Sequence, residues 1–147
     1  MRGVILLAVA AIMATTSALA QAPKSKAPTT KVEAGEWIFL DVAKDRSAVY
    51  FSRPAKTAVG DPPRQWVRVE SETPEISQGR SWMGIVTLYE LDCSGDRYRA
   101  LSRTAYEKRN LSGDVTPLSI VGGWDYVIPD SIGQSILDRA CGRDGRP

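Results

Sequence analysis

The sequence predicts an α+β fold: an antiparallel sheet of about six strands with one C-terminal helix pinned to one face by a disulfide. Six short runs rich in β-branched and aromatic residues are separated by glycine, proline and charged residues. One amphipathic segment near the C-terminus has helical spacing. The two cysteines, Cys93 and Cys141, end the fourth run and this segment. In an exported chain, such a pair most simply forms a disulfide between helix and sheet.

Segment 1–20 is predicted to be a secretory signal peptide. A positive Arg2 precedes the apolar stretch 4–13, and a small-x-small cleavage site ends at Ala20. This stretch is too short to span a membrane. Cleavage leaves Gln21 first, whereas a bacterial lipoprotein carries its lipid on a cysteine there. We therefore expect an exported protein without a lipid anchor, in the periplasm, at the cell surface or outside the cell.

Composition divides the remaining chain into three parts. Residues 21–31 hold two prolines, three lysines and no large apolar residue. Because such a segment buries too little surface to offset its ordering entropy, 21–34 is predicted to be a disordered tether. Residues 35–141 are predicted to form one domain, of a size that benefits from a covalent staple. Residues 142–147 are predicted to be a disordered tail.

The charge and the residue inventory argue against several functions. The formal net charge of +2 falls to near neutral without Arg2, so no nucleic-acid partner is indicated. The chain has no histidine, which excludes Ser-His-Asp and Cys-His catalysis and every histidine-containing metal site. With both cysteines paired, we expect no enzyme activity, no cofactor and no bound metal ion.

The strands are placed by apolar runs and by the residues that break them. Segments 56–63 and 73–80 contain proline and glycine and are predicted to be connectors. The last strand contains Pro117, which suits an edge position. Its unpaired edge near Val115 could support a homodimer, although Pro117 opposes one. The six predicted strands are 36–41, 48–51, 65–70, 82–93, 97–107 and 115–121.

A two-residue loop, Gly95-Asp96, is predicted to join the fourth and fifth strands. Glycine accepts the positive φ that a type II′ turn needs at its first central position. This register places Asp92 opposite Arg99, an attractive cross-strand pair. It also places Cys93 on the face opposite the arginines of the fifth strand, where the helix can cover it.

The C-terminal helix is predicted from its start and stop signals. Asp130 or Ser131 serves as the N-cap, and Gly142 supplies the stop. An apolar stripe that begins at Ile132 must dock on the sheet, because so short a helix is unstable alone. The predicted disulfide closes a loop of about 48 residues and contributes roughly 4 kcal/mol in the chain-entropy model.

Several motifs, taken in order, resemble the surface-adhesin protein E family of small exported bacterial proteins. Together they cover nearly the whole mature domain. The most specific combination is a strand that ends in Asp-Cys, a Pro-x-Ser helix start and a cysteine at the end of that helix. The matching elements are Trp37, Tyr50-Phe51, Trp66-Val67, Ser81, Tyr89 to Cys93, Tyr98-Arg99, Tyr106, Gly113, Trp124, Val127 to Ser131 and Cys141.

The resemblance implies the same architecture of sheet, helix and disulfide. It also implies surface adhesion through binding of host matrix or serum proteins. Two features depart from the family pattern. The named adhesin type is lipid-anchored, whereas Gln21 stands at the anchoring position here, which favours the periplasm. The second strand continues into Ser52-Arg53-Pro54, where the family more often has an aspartate.

Exposed arginines are the best binding candidates. Arg97, Arg99 and Arg103 are predicted to line the wet face of the fifth strand, and Arg64 and Arg68 share a parity on the third strand, with Trp66 between them. Arginine beside an aromatic side chain is common in interfaces and could grip an acidic protein segment or a sulfated glycan. The alternative is a solvated sheet face whose charges are balanced by Glu70, Glu90 and Asp92. The candidate binding residues are Arg64, Trp66, Arg68, Arg97, Arg99 and Arg103.

Three other features have both a functional and a structural interpretation. The four tryptophans could form a ligand platform, but tryptophan more often packs in a core or at an edge. Glu90 and Asp92 could form a catalytic dyad, but Asp92 is expected to be held by Arg99. The cysteines lie far apart in sequence, which favours a structural bond over a redox centre.

The leading hypothesis is a non-enzymatic exported binding protein, an adhesin whose partner is a host extracellular protein. The alternative hypothesis is a periplasmic inhibitor or accessory factor that acts on bacterial envelope proteins such as cell-wall hydrolases. A small periplasmic enzyme is disfavoured because the sequence has no histidine and no nucleophile motif.

Overall fold

The computed structural model describes residues 33–77 and 79–144. The predicted signal peptide, the predicted tether up to residue 32 and residues 145–147 lie outside the described residues. The described part of the chain forms seven strands and one helix. In chain order they are β1 (Ile38–Val42), β2 (Ala48–Pro54), β3 (Arg64–Ser77), β4 (Arg80–Asp92), β5 (Arg97–Lys108), β6 (Ser112–Pro117), β7 (Asp125–Tyr126) and α1 (Ile132–Ala140).

The strands form one antiparallel sheet in the order β1-β2-β3-β4-β5-β6, so each strand lies beside its neighbour in the chain. The short β7 also pairs with β5, at Arg97 and Tyr98. The strand β6 pairs with the other end of β5, from Thr104 to Lys108. This sheet, followed by a single helix, confirms the predicted α+β fold.

The hairpin between β3 and β4 is longer than predicted. β3 extends to Ser77 and β4 begins at Arg80, so both strands reach into segment 73–80, which was expected to be a connector. The register changes between Glu70 and Glu75, so Pro74 lies in an irregular stretch rather than in a regular ladder. Gly79 turns the chain with a φ of +72°, a conformation that favours glycine. The prediction was wrong because the pairing around these two residues outweighs their tendency to form turns.

The loop between β4 and β5 has four residues rather than the predicted two. Asp92 pairs with Arg97 instead of Arg99, so the register next to the loop is shifted by two, and residues 97–100 keep their predicted faces. The Asp92 carboxylate closes the loop, because its Oδ1 accepts hydrogen bonds from Ser94 N at 3.1 Å and Gly95 N at 3.0 Å. A Cβ on Gly95 would lie 2.7 Å from Asp92 Oδ2. Glycine is therefore needed for this close approach, not for a positive φ.

A bulge divides β5 into two parts. Leu101 is the extra residue between Ala100 and Ser102, which pair with adjacent residues of β4. Because side chains alternate along a strand, one extra residue moves all later side chains to the other face. Arg103 therefore lies on the face that carries α1. The prediction that Arg103 shares a face with Arg99 is wrong.

The helix α1 packs on one face of the sheet, as its apolar stripe predicts. Ser131 is the N-cap, and its Oγ accepts a hydrogen bond from Gln134 N at 3.3 Å. No helix in the described ranges has the length and apolar character needed to cross a membrane. The buried cluster between helix and sheet consists of Leu40, Val67, Leu91, Ile136 and Leu137.

The disulfide joins Cys93, directly after β4, to Cys141 at the C-cap of α1, which confirms the predicted pairing. Gly142 follows with a φ of +67° and ends the helix. Arg143, which belongs to the predicted tail, donates to Asp96 Oδ1 at 2.6 Å and to the Cys93 carbonyl. The start of the predicted tail is therefore attached to the loop between β4 and β5.

Pro117 lies at the outer edge of the sheet. The next amide, Leu118 N, donates to the carbonyl of Arg103 at 2.9 Å. Thr104 and Pro117 are therefore a non-hydrogen-bonded pair, and the proline nitrogen faces away from β5. An added strand would need an N–H donor at this place, which proline cannot supply. A homodimer through this edge stays a prediction.

Candidate binding surface

The sheet face opposite α1, which we name the far face, carries two rows of polar and aromatic side chains across neighbouring strands. In an antiparallel sheet, side chains of register partners are close enough to contact. One row spans β3, β4 and β5, and the other spans β4, β5 and β7. The rows are Arg64, Glu90 and Arg99, and then Asp92, Arg97 and Tyr126.

Glu90 joins two arginines from neighbouring strands. Arg64 donates to Glu90 Oε2 from Nε at 3.2 Å and from Nη2 at 3.0 Å. Arg99 donates to Oε1 from Nε at 2.8 Å and from Nη2. Burial raises the pKa of Glu90, but the hydrogen bonds from Arg99 and Arg64 outweigh burial, and the pKa lies below its ordinary value. Glu90 is thus a charged anchor for both guanidinium groups.

Asp92 holds a third arginine. Arg97 Nε donates to Asp92 Oδ2 at 2.8 Å, and Ser94 Oγ donates to Oδ1 at 2.7 Å. The Ser94 hydroxyl and then Arg97 hold the pKa of Asp92 well below its ordinary value. The carboxylate therefore stays ionised at neutral pH, and the ion pair fixes the orientation of Arg97.

Trp124 covers two of these arginines. The Cζ atoms of Arg99 and Arg97 lie 4.7 Å and 5.2 Å from its ring centroid, within the range of cation–π contacts. Each guanidinium is held by both a carboxylate and the indole. The Arg97 and Arg99 side chains nevertheless remain 38% and 43% exposed. Their positions are therefore fixed while access from solvent is kept.

A second arginine–tryptophan contact extends the far face towards β1. Arg53 lies opposite Trp66 in the register, and its Cζ is 4.9 Å from the ring centroid of Trp37. Arg53 Nη1 also pairs with Glu36 Oε2 at 3.3 Å. We name the whole set the arginine–tryptophan surface. It consists of Arg53, Arg64, Arg97, Arg99, Trp37, Trp66 and Trp124.

Arg68 lies on the far face but is not accessible. It is 3% exposed, and its partner Glu70 is fully buried. Arg68 donates from Nε to Glu70 Oε1 at 2.7 Å and from Nη1 to the carbonyl of Glu33 at 2.8 Å. Its Nη2 donates to Asn110 Oδ1 at 3.1 Å. The expected exposure of Arg68 is therefore wrong, because Glu33, from the end of the predicted tether, and the Asn110 turn cover it.

The sheet separates Arg103 from the other candidates. Its Nε donates to Thr87 Oγ1 at 3.3 Å, on the face that carries α1. There it lines a small cavity of about 160 Å³ together with Tyr89 and Tyr98. Arg103 is therefore not part of the arginine–tryptophan surface, but it provides a matched control arginine on the opposite face.

Glu90 and Asp92 lack the properties of a catalytic dyad. A general acid at neutral pH needs a raised pKa, whereas the pKa values of Glu90 and Asp92 are both lowered. Each carboxylate is also occupied by arginine. Within 33–77 and 79–144, no group of three acidic or cysteine side chains could hold a metal ion. The arrangement can attract and orient an anionic group.

Sequence reasoning did not assign Arg53, Trp37 or Trp124 to this surface. Arg53 and Trp66 share a face only through the pairing of β2 with β3, which sequence alone does not give. Trp124 follows two glycines and belongs to no periodic pattern. Its position over the arginines depends on the pairing of β7 with β5.

Comparison with protein-family profiles identifies the family of this chain. The profile of the family described as surface-adhesin protein E matches residues 37–142, more than half of the chain. The chain belongs to the surface-adhesin protein E family. The resemblance inferred from the sequence motifs is thereby confirmed. A search of curated proteins found no significant match.

Two solved structures share the fold of this adhesin E family member. Protein E from non-typeable Haemophilus influenzae has 16% sequence identity and a TM-score of 0.57, with 82% of this chain and 84% of that chain covered. Haemophilus influenzae protein E in crystal form II has 14% identity and a TM-score of 0.50, with 82% and 98% covered. At such identities the likeness concerns the fold. The arginine–tryptophan surface is described from this chain's own residues.

Proposed function

We propose that this member of the surface-adhesin protein E family is a non-enzymatic exported binding protein. It captures an acidic segment of a protein partner on the arginine–tryptophan surface. The family supports an adhesin-type role. The observation that carries the proposal is the arrangement of Arg64, Arg97 and Arg99, whose side chains are 35–43% exposed yet bound to two carboxylates.

Fixed guanidinium groups favour binding, because less side-chain freedom is lost when a partner arrives. Arg64 and Arg99 each use Nε and Nη2 for Glu90, which leaves Nη1 for a ligand. Arg97 uses only Nε for Asp92. Three guanidinium groups against two carboxylates leave a positive excess, so a carboxylate on the partner is attracted.

Aromatic side chains beside the arginines favour a protein ligand over a sulfated glycan. Tyr126 is 75% exposed and lies opposite Arg97 in the register. Trp124 stacks on the same arginine. Tyrosine, tryptophan and arginine are the residues that most often dominate the binding energy of protein interfaces. A protein segment with both carboxylates and apolar side chains would use all of these groups.

The proposed partner is a host matrix or serum protein, met at the cell surface. The alternative function, an inhibitor or accessory factor for an envelope protein, would place the same surface in the periplasm. Protease treatment of whole cells separates the two. Digestion on intact cells supports the adhesin, whereas protection until the outer membrane is opened supports the periplasmic factor.

The binding test uses the chain without its predicted signal peptide, residues 21–147, against serum and matrix proteins. For any protein that is captured, Arg97→Ser/Arg99→Ser should weaken binding by at least about tenfold. Arg103→Ser removes an arginine from the opposite face and should bind like the unaltered protein. Equal losses in both variants, or no loss in the double variant, would contradict the proposal. Tighter binding to heparin than to any protein would assign the surface to sulfated glycans.

A further inference from the structure

Residues 33–36 precede β1 and lie against side chains of the far face and of the Asn110 turn; we name them the strap. Three of the four residues are exposed, and Ala34 is half-buried. Gly35 turns the chain with a φ of +56°, and Trp37 N donates to the carbonyl of Ala34 at 2.9 Å. Because no residue of the strap is buried, apolar burial contributes little to holding it on the sheet.

The first residue of the strap is held through its backbone. Glu33 N donates to Asn110 Oδ1 at 2.9 Å, and the Glu33 carbonyl accepts from Arg68 Nη1 at 2.8 Å. Neither bond uses the Glu33 side chain. The backbone of a different extended segment could therefore make the same two bonds, as main-chain groups do when a peptide is added to a sheet.

The last residue of the strap is held through its carboxylate. Glu36 Oε2 accepts from Arg53 Nη1 at 3.3 Å, and the two side chains are 86% and 42% exposed. An exposed ion pair of this kind contributes less than about 1 kcal/mol. The strap thus presents to Arg53 a carboxylate, the same group that the arginine–tryptophan surface is proposed to bind.

Departure of the strap would leave the buried ion pair beneath it intact. Glu70 Oε1 accepts from Arg68 Nε at 2.7 Å, and Glu70 Oε2 accepts from Asn110 N at 3.1 Å. Arg68 Nη2 would also keep its bond to Asn110 Oδ1. Arg68 Nη1 would exchange the Glu33 carbonyl for water, so opening leaves no buried donor without an acceptor and costs little free energy.

We propose that the strap is a built-in competitor, which masks Arg53 and Arg68 until an acidic segment of the partner displaces it. A backbone carbonyl of that segment then accepts from Arg68 Nη1, and a carboxylate three residues further on pairs with Arg53. This regulation rests on the proposed function, because it controls access to one part of the arginine–tryptophan surface. Arg97 and Arg99 are held separately, by Asp92 and Glu90.

Hydrogen exchange of the protein 21–147, followed by NMR, tests the opening without any partner. The amide of Glu33 should exchange at least about 100-fold faster than that of Val67, in the centre of the sheet. Glu36→Ser should speed the exchange at Glu33 by about twofold to fivefold, because the ion pair with Arg53 is lost. Asp61→Ser removes an exposed carboxylate between β2 and β3 and should leave this exchange unchanged.

A peptide with the sequence of the strap, acetyl-Glu-Ala-Gly-Glu-amide, tests the masking. Its affinity is measured from the shift of the Asn110 side-chain amide in nitrogen-15-labelled protein. The opened variant Glu33→Pro/Glu36→Ser lacks the Glu33 N–H and the Glu36 carboxylate. It should bind the peptide at least about fivefold more tightly than the unaltered protein, because a tethered competitor acts at a millimolar effective concentration.

Three controls locate the peptide on the opened variant. A peptide with glutamine in place of its second glutamate should bind about threefold more weakly, because it lacks the charge for Arg53. Addition of Arg53→Ser should remove the difference between the two peptides, whereas Arg103→Ser, on the opposite face, should keep it. Thermal unfolding checks that the variants are folded.

Equal peptide affinity of the opened variant and the unaltered protein would overturn the proposal. Exchange at Glu33 as slow as at Val67 would also overturn it. Failure of the proposed function gives a different result: the opened variant gains peptide affinity, but neither protein captures a serum or matrix protein. Capture of such a protein with equal affinity by both would leave the proposed function standing and refute the masking.

Discussion

Arg64 and Arg99, from two different strands, bind the two oxygens of one carboxylate: the first donates to Oε2 of Glu90 and the second to Oε1. Glu90 is almost fully buried, whereas both arginines remain partly exposed. The positions of the Arg64 and Arg99 guanidinium groups on the far face therefore depend on the Glu90 carboxylate.

Replacement of Glu90 should destabilise the domain more than replacement of an exposed glutamate. Glu90→Gln replaces charge-assisted hydrogen bonds by weaker ones, and we expect the free energy of unfolding to fall by about 1–3 kcal/mol. The control is Glu36→Gln, since Glu36 is 86% exposed and pairs with Arg53. It should cost less than about 1 kcal/mol. Urea denaturation measures both, and similar losses would contradict the anchoring role of Glu90.

Low pH should lower the free energy of unfolding of the domain, because Glu90 and Asp92 become protonated. Both pKa values are lowered in the folded protein from ordinary values of 4.5 and 3.8. Each carboxylate therefore contributes stability that is present above its ordinary pKa and is lost as the pH falls through its folded value. The free energy of unfolding should drop below about pH 4, and Glu90→Gln/Asp92→Asn should reduce this drop. Denaturant titrations at neutral and acid pH measure the fall in the free energy of unfolding. An equal fall in the double variant and the unaltered protein would show that other carboxylates cause it.

Removal of Arg68 should be far more harmful than removal of an exposed arginine. Arg68→Met leaves the buried Glu70 carboxylate without its ion pair, which should cost about 3–5 kcal/mol. Arg68→Met/Glu70→Leu should recover much of this loss, because no buried charge is left. Arg53→Met, at an exposed ion pair, is the control and should cost less than about 1 kcal/mol. In urea denaturation, a double variant no more stable than Arg68→Met would refute this account.

Loss of the disulfide should bring the domain close to unfolding. The bond between Cys93 and Cys141 spans 48 residues, and the chain-entropy model assigns such a loop about 4 kcal/mol. Domains of this size have only about 5–15 kcal/mol in total. Cys93→Ser/Cys141→Ser should therefore have a much lower melting temperature by circular dichroism. Reduction of the unaltered protein should have the same effect, and an unchanged melting temperature after reduction would be inconsistent with this role.

Faces of the sheet could be predicted wherever the alternation of a strand is unbroken. Asp92, Arg97 and Arg99 share one face in both the prediction and the structure, because a register shift of two residues between β4 and β5 keeps the parity. The pairing itself could not be predicted. It depends on the Asp92 side chain, which closes a four-residue loop that resembles a shorter glycine turn in sequence.

Neither the burial of Arg68 nor the bulge in β5 could be recognised from the local sequence. Leu101 is an ordinary strand residue, and only its pairing partners show that it is the extra one. The face of the sheet on which Arg103 lies could therefore not be predicted. Arg68 is covered by Glu33 and Asn110, which lie 35 and 42 residues away in the chain. A contact between such distant residues does not appear in any periodicity.

The bond between Cys93 and Cys141 also sets how the domain responds to mechanical tension. A pull on the two chain ends reaches this covalent link, and the 48-residue loop behind it cannot extend. At about 3.5 Å per extended residue, roughly 170 Å of chain is protected from the force. Force spectroscopy should show that extra length only after reduction. Because Arg97, Arg99 and Trp124 lie inside the protected loop, an adhesin under shear would keep these contacts beyond the reach of the pulling force.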